Sequence, residues 1–202
     1  LRLLGMNTRL SINGIIESAR QIELQAKNLS IEDTVNEGDV SNIRQRATAL
    51  LNFLDDDNVV IEFNVDMDDD SSKSDAVVTS DIFEELYDIM WLPVEQPMEN
   101  SDSYLEPPRR IHQLSHVGIS SPELTRPKTD EWMCSASMDI LSLNIKSEAL
   151  LEKFHWDAVP NAHIVAKQLV ALGQLSQSNS QSLPLRQQIS KVRLLVFFGL
   201  FF

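Results

Sequence analysis

Two segments near the beginning of the printed sequence carry apolar residues at helical spacing. The first predicts an amphipathic helix over about residues 12–27, with Ser11 as its N-cap. The second predicts a helix over about residues 40–54, capped by Asp39 or Ser41. The apolar positions are Ile12, Ile15, Ile16, Ala19, Ile22 and Ala26, then Val40, Ile43, Ala47, Leu50, Leu51 and Leu54. Each stripe needs a packing partner, because water disfavours an exposed apolar face.

A short run between two aspartate clusters is rich in residues that favour β-structure. It spans residues 59–65 and predicts a short strand; the alternative is an apolar patch within a disordered insertion. A third helix is predicted to begin at Ser80 or Asp81 and to stop at Trp91. Leu92 precedes a proline, so the backbone is expected to become extended there.

Prolines dominate residues 95–130 and exclude a long helix in this stretch. Short strands and turns packed on the helices are expected instead, because a structureless connection of this length is uncommon in a compact domain. Residues 132–143 predict a strand or an irregular core segment. Ser147 is expected to cap a short helix over residues 148–154.

A last helix is expected to open at Pro160 and to end at Gly173. The predicted fold class is therefore α+β, mainly helical, with a few short strands and an acidic disordered insertion. Four parts are predicted: an N-terminal helical part (1–54), an acidic flexible insertion (55–80), a helix with a proline-rich strand and turn region and C-terminal helices (81–173), and a polar linker with an apolar tail (174–202).

Negative charge is concentrated in one part of the chain. The 202 residues carry a formal net charge of −13. Residues 31–100 contain 19 acidic and 3 basic residues, whereas the rest contains 11 acidic and 14 basic residues. Nucleic acids and anionic membranes attract cationic surfaces, so the acidic balance argues against both as the main partner. The aspartates of residues 55–80 predict a solvated, self-repelling loop, with docking of a basic partner as the alternative.

Four residues have a spacing or a side-chain type that suits a zinc site. His112 and His116 have the i, i+4 spacing that places two ligands on one helix face. Cys134 or His155 would add a further ligand. The histidines follow two prolines and no second cysteine is present, so ordinary loop histidines are expected. Cys134 is expected to be a buried structural thiol, because it lies in an apolar stretch without the glycines of a nucleophile turn.

The acidic run imitates part of a calcium-binding loop. Asp66, Asp68 and Asp70 match the first three ligands of such a loop. The match then fails, because Ser71 stands at the required glycine and Val77 at the required glutamate. The six glycines are spread along the chain, so no phosphate-binding loop is predicted. The sequence therefore predicts no catalytic, cofactor-binding or metal-binding residue, and no enzyme activity.

Four short blocks follow one another in an order that resembles a known family. They are Trp91-Leu92-Pro93-Val94, Ser121-Pro122-Glu123-Leu124-Thr125-Arg126-Pro127-Lys128, Trp132-Met133-Cys134-Ser135-Ala136-Ser137-Met138 and Phe154-His155-Trp156-Asp157. With the helix rich in Val, Gln and Leu that follows, they resemble the sacsin repeat, downstream of its module similar to the heat-shock-90 ATPase. Leu4-Gly5-Met6 and the helix from Ile12 are similar to the entry of that segment, so the resemblance covers residues 1–175.

The resemblance implies a function, because sacsins are giant cytosolic chaperone-like proteins. It implies that this chain is a non-catalytic interaction or scaffold segment acting in protein folding and quality control. The implied partners are proteins: chaperones, clients or other parts of the parent chain. A generic helical adaptor with an acidic partner-binding loop is the alternative. The single Cys134 forms no internal disulfide and suits a reducing compartment, which favours the cytosol or the nucleus. With the resemblance to a cytosolic family, a cytoplasmic location is expected.

The two ends of the sequence suggest a piece of a longer protein. Leu1 is not an initiator methionine, and no signal-peptide pattern follows it. Residues 194–202 are almost wholly large and apolar, but too few to cross a bilayer. Translated non-coding sequence is the favoured interpretation of this tail; a truncated core strand and a hydrophobic anchor are the alternatives.

Overall fold

The computed structural model describes residues 11–31, 37–60, 82–95, 114, 117–178 and 189–192. The helices are α1 (Ile12–Ile31), α2 (Glu37–Leu54), α3 (Ile82–Tyr87), α4 (Glu131–Cys134), α5 (Glu148–Lys153) and α6 (Ala162–Ser178). Two small sheets are formed by β1 (Leu92–Pro93), β2 (Ile119–Ser120), β3 (Thr125–Arg126) and β4 (Asp139–Ile140). β1 pairs antiparallel with β2, and β3 pairs parallel with β4. The predicted α+β, mainly helical class is confirmed.

Helices α1 and α2 pack against each other through the two apolar stripes. The predicted cap of α1 is confirmed, because the backbone N–H of Gly14 donates to Ser11 Oγ at 3.2 Å. Helix α2 begins at Glu37, so the predicted caps Asp39 and Ser41 are wrong. Glu37 and Asp39 instead lie in the first turn, where their negative charge suits the positive end of the helix dipole.

The strand predicted at residues 59–65 is wrong for its first two residues, and residues 61–65 lie outside the described part of the chain. Residues 57–60 form a helical turn. Asp56 starts it, because its side chain accepts from the backbone N–H of Asn58 at 2.9 Å and its carbonyl accepts from that of Val60 at 3.1 Å. Val60 is fully buried, so the turn contributes to the core.

Helix α3 ends at Tyr87, earlier than predicted. The backbone becomes extended before Pro93 and pairs with β2, and the N–H of Trp91 donates to the carbonyl of Ser120 at 3.0 Å. The expected short strands and turns between residues 95 and 130 are confirmed where described, from Ile119 onward. A strand or irregular core segment is expected over residues 132–143. In the structure, the first part of this range belongs to the short helix α4, and strand β4 follows within it.

The capped helix predicted after Ser147 is confirmed as α5. The last helix begins at Ala162, where Asn161 Oδ1 accepts from the N–H of His163 at 2.9 Å. The predicted stop at Gly173 is wrong, because α6 continues to Ser178. Leu172 packs in a small apolar cluster with Val165 and Val192, and this packing outweighs the weak preference of Gly173 for a helix end.

One large core and two smaller clusters hold the described residues together. The large core combines α1, α2, α3 and α5 with the side chains of β1 and β2 and with Phe154 and Trp156. A smaller cluster is made by Val165, Leu172 and Val192, and a second by Met133, Cys134 and Ile140. Partly buried Trp132 packs against both small clusters.

Candidate functional site

The four blocks that carry the sacsin resemblance lie next to one another, at a place called here the block junction (residues 91–94, 121–128, 132–138 and 154–157). The rings of Trp91 and Phe154 lie 6.3 Å apart between centroids. Arg126 connects the second block to the fourth through backbone carbonyls. Asp130 connects the second to the third, because its carboxylate binds Arg126 and its carbonyl accepts from Cys134 Sγ at 3.2 Å.

Arg126 is the polar centre of the block junction. β3 ends at this residue and directs its side chain inward, where 10% of the side chain remains exposed. Its Nε donates to Asp130 Oδ2 at 2.9 Å, and Nη2 lies 2.7 Å from the same oxygen. A charge this buried is stable only when it is paired and hydrogen-bonded, and Asp130 supplies the opposite charge.

The same guanidinium holds the loop of residues 155–158 by its backbone. Nη1 donates to the carbonyl of His155 at 3.0 Å, and Nη2 donates to the carbonyls of Trp156, at 3.4 Å, and Ala158. His155 has a φ of 56°, a left-handed conformation that is uncommon outside glycine. The guanidinium therefore fixes the corner between α5 and α6 by satisfying carbonyls that point inward.

An aromatic group forms the apolar side of the block junction. Phe154 is its centre, with ring centroids 5.7 Å from Phe83, 6.3 Å from Trp91 and 4.9 Å from Trp156. Trp91 and Trp156 are buried in the large core, and Trp132 is half-buried. The Trp91 indole donates to the carbonyl of Leu86 at 3.2 Å. The Trp156 indole N–H is buried and has no acceptor within the described residues.

A second polar arrangement joins the end of α2 to the beginning of α5, and it is called here the aspartate clamp (Asp55 and Asp57). Asp55 Oδ1 accepts from the backbone N–H groups of Lys146 and Ser147, each at 2.8 Å. Asp57 Oδ1 accepts from Ser147 Oγ at 2.5 Å and from the N–H of Ala149 at 3.3 Å. These two aspartates, expected in the solvated loop, instead satisfy donors at a helix start.

The thiol of Cys134 is fully buried, as predicted. Burial raises the pKa of this thiol to about 12, and the nearby negative charge of Asp130 adds to the increase. A thiol with so high a pKa stays protonated at neutral pH, and the thiolate is the nucleophilic form. Burial also raises the pKa of Tyr87, with a further contribution from Glu123. Both groups are therefore neutral under ordinary conditions.

Of the candidate metal ligands in the sequence, Cys134 and His155 lie within the described residues. His112, His116, Asp66, Asp68 and Asp70 lie outside the described residues. Cys134 is buried in its cluster, whereas the His155 side chain is exposed at the surface. Among residues whose positions are described, no group of three or more His, Cys, Asp or Glu side chains is arranged to hold a metal ion.

Sequence reasoning missed the residues that organise the block junction. In the sequence, Arg126 is a member of the second block with no role assigned to it, and Gln168 is a polar residue within the predicted last helix. Gln168 is 2% exposed, and its amide bonds to the backbone of Ala136 at 2.7 Å and to Ser135 Oγ at 3.1 Å. The available signal was its position on the apolar side of α6, between Val165 and Leu172.

Comparisons with known proteins do not add a relative to this description. A scan against protein-family models, a search of curated proteins and a search of solved structures each found no match for this chain. Across the helices that the structure describes, none has the length and apolar character needed to span a membrane.

Proposed function

We propose that this chain is a non-catalytic binding and scaffold segment of a sacsin-like protein, acting in chaperone-type protein folding and quality control in the cytoplasm. Its partners are proteins: clients, chaperones or other parts of the parent chain. The observation that carries the proposal is the block junction. Segments as distant in sequence as those of Trp91 and Phe154, which resemble blocks of the sacsin repeat, pack as neighbours around Arg126 and Phe154.

The chemistry of the block junction supports a scaffold role over a catalytic one. The donors of Arg126 are directed to Asp130 and to carbonyls of the chain itself. The Cys134 thiol is buried and protonated, which removes its nucleophilic form. These groups stabilise a fixed arrangement of backbone, and a rigid scaffold of this kind positions the surface loops that contact partners.

The family assignment is tested by sequencing the parent transcript. The proposal expects a module similar to the heat-shock-90 ATPase encoded upstream of Leu1, in the same reading frame. A parent reading frame without such a module would overturn the sacsin assignment and would leave the generic helical adaptor.

The binding function is tested with the purified chain and a reporter protein that aggregates on warming, citrate synthase. The expected result is that the chain lowers light scattering in proportion to its concentration, without ATP. Serum albumin at equal mass is the control for crowding. Scattering equal to that of the albumin control would overturn the proposed binding of unfolded clients.

A further inference from the structure

The second and third residues of helix α1 are Asn13 and Gly14, and an asparagine followed by glycine is a chemically labile pair. The backbone nitrogen of the second residue can attack the side-chain amide carbon of the asparagine, and glycine places no side chain in the way of this attack. Asn13 is exposed and Gly14 is half-buried. Water therefore reaches the Asn13 amide in the folded chain.

The cap of α1 holds the nitrogen that would attack. The backbone N–H of Gly14 donates to Ser11 Oγ at 3.2 Å, whereas the N–H of Ile15 donates to the Ser11 carbonyl at 3.0 Å. The first N–H groups of a helix lie beyond the reach of its own carbonyls, so a side chain is the partner of the Gly14 nitrogen. Closure of a ring onto Asn13 also requires its ψ to leave the helical value. The attack therefore requires that the first turn opens and that the bond to Ser11 is lost.

Opening of this first turn is a small event compared with unfolding of the chain. Helix ends open at low free energy where few side chains are buried. Ser11 and Asn13 are exposed, and burial in the large core begins at Ile15, which is fully buried. The first turn can therefore open while the rest of α1 stays packed.

The charge at the start of α1 would change if Asn13 lost its amide. The first turn of α1 carries no acidic residue, whereas that of α2 carries Glu37 and Asp39. An aspartate at position 13 would place a negative charge near the positive end of the helix dipole. An isoaspartate at the same position would add a methylene group to the main chain and interrupt the helix start. The two acids therefore change the stability of the first turn in opposite directions.

We propose that Asn13 is a site of spontaneous deamidation, and that the Ser11 cap controls its rate. The Gly14 nitrogen forms a bond to Asn13 Cγ, and the bond from Cγ to the side-chain nitrogen breaks. The amide nitrogen leaves as ammonia with the proton that Gly14 loses, and a cyclic succinimide remains. Water then opens the ring at either carbonyl and yields aspartate or isoaspartate. Water is the only co-reactant, and the chain gains one negative charge.

Tandem mass spectrometry of tryptic peptides, after incubation of the purified chain in mildly alkaline buffer, measures the reaction. Cleavage after Arg9 and Arg20 releases a peptide in which Asn13 is the only asparagine. Asn28 is the matched internal control, because it is exposed on the same helix but precedes Leu29. The Asn13 peptide is expected to gain the mass of an acid while Asn28 keeps its amide. Labelling by an isoaspartyl methyltransferase is expected to identify isoaspartate in the converted peptide.

Variants separate the role of the cap from the chemistry of the pair. Ser11→Ala is expected to accelerate conversion at Asn13 by about fivefold, the effect of losing a typical N-cap. Ser30→Ala removes a serine at the other end of α1 and is expected to change the rate by less than about twofold. The chain unfolded in urea is expected to convert faster than either variant. Asn13→Asp is expected to slow hydrogen exchange in the first half of α1 by about twofold.

Each outcome decides one part of the inference. Conversion at Asn13 no faster than at Asn28 in the folded chain would overturn the site. Equal rates in the wild type and in Ser11→Ala would overturn control by the cap. Aspartate without isoaspartate would overturn the succinimide route, and unchanged or faster exchange in Asn13→Asp would overturn the effect on the helix dipole.

Discussion

Removal of the Arg126 guanidinium is expected to be strongly destabilising. In Arg126→Met the apolar part of the side chain is retained, while Asp130, only 14% exposed, loses the opposite charge that binds it. The carbonyls of His155, Trp156 and Ala158 lose their donor at the same time. Breaking a buried ion pair by removing one partner costs about 3–5 kcal/mol. We expect a loss of this size in the free energy of unfolding.

Arg126→Lys separates the charge from the geometry of the guanidinium. Lysine restores a positive charge near Asp130, but it is a single ammonium group and does not reproduce the planar fork that reaches three carbonyls. We expect this variant to lose about 1–3 kcal/mol, less than Arg126→Met.

Urea unfolding, followed by tryptophan fluorescence and by circular dichroism, measures both variants. The matched control is Arg20→Met, because the ion pair of Arg20 with Glu85 spans 3.3 Å and its side chains are 58% and 34% exposed. Exposed pairs contribute about 0–1 kcal/mol. Equal losses in Arg126→Met and Arg20→Met would refute the argument that Arg126 organises the block junction.

Three further predictions concern the aspartate clamp, the buried thiol and the aromatic group. Ser147→Ala removes the acceptor of the Leu150 N–H and the donor to Asp57, so unfolding by urea should show a loss of about 0.5–2 kcal/mol. Stability should fall as the pH rises above about 9, because the unfolded Cys134 thiol ionises from its ordinary value of 9.0 while the folded thiol holds its proton to about 12. This decrease should be smaller in Cys134→Ala. Phe154→Ala should cost about 3–5 kcal/mol, measured by urea unfolding.

Each of these has a control within the chain. Ser30→Ala removes an exposed serine and should leave the free energy of unfolding nearly unchanged. An equally small change in Ser147→Ala would argue against the aspartate clamp. Ellman's reagent should label Cys134 only after unfolding; rapid labelling of the native chain would contradict its burial. Leu24→Ala is the control for Phe154, and similar losses in the two would exclude a central role for the aromatic group.

Helix positions were predictable where a single segment carries both the apolar spacing and the capping residue. Ser11 with its apolar stripe and Ser147 with α5 are examples, because each cap bonds within its own helix start. The helical turn at residues 57–60 was not predictable in the same way. Val59 and Val60 favour strands, but Asp56 starts a helical turn and the large core buries Val60.

The hydrogen-bond partners of the buried polar groups could not be predicted from the sequence. Asp55 and Asp57 belong to an acidic run in the sequence, but the groups that donate hydrogen bonds to their carboxylates lie 90 and 92 residues later in the chain. Arg126 likewise reaches carbonyls 29–32 residues away. Spacing rules for a single segment do not predict contacts between residues so far apart in the sequence, because these contacts depend on how separate segments pack.

The sequence by itself determined the mainly helical class, the apolar stripes of α1 and α2, the caps at Ser11 and Ser147, and the order of the four blocks. These features follow from interactions between residues that are close along the chain. Only the tertiary structure decided that the blocks are neighbours, that α6 passes through Gly173 and that Arg126 holds the corner at residues 155–158. The physical reason is that buried charges, carbonyls and small packing differences acquire partners only after the core has formed.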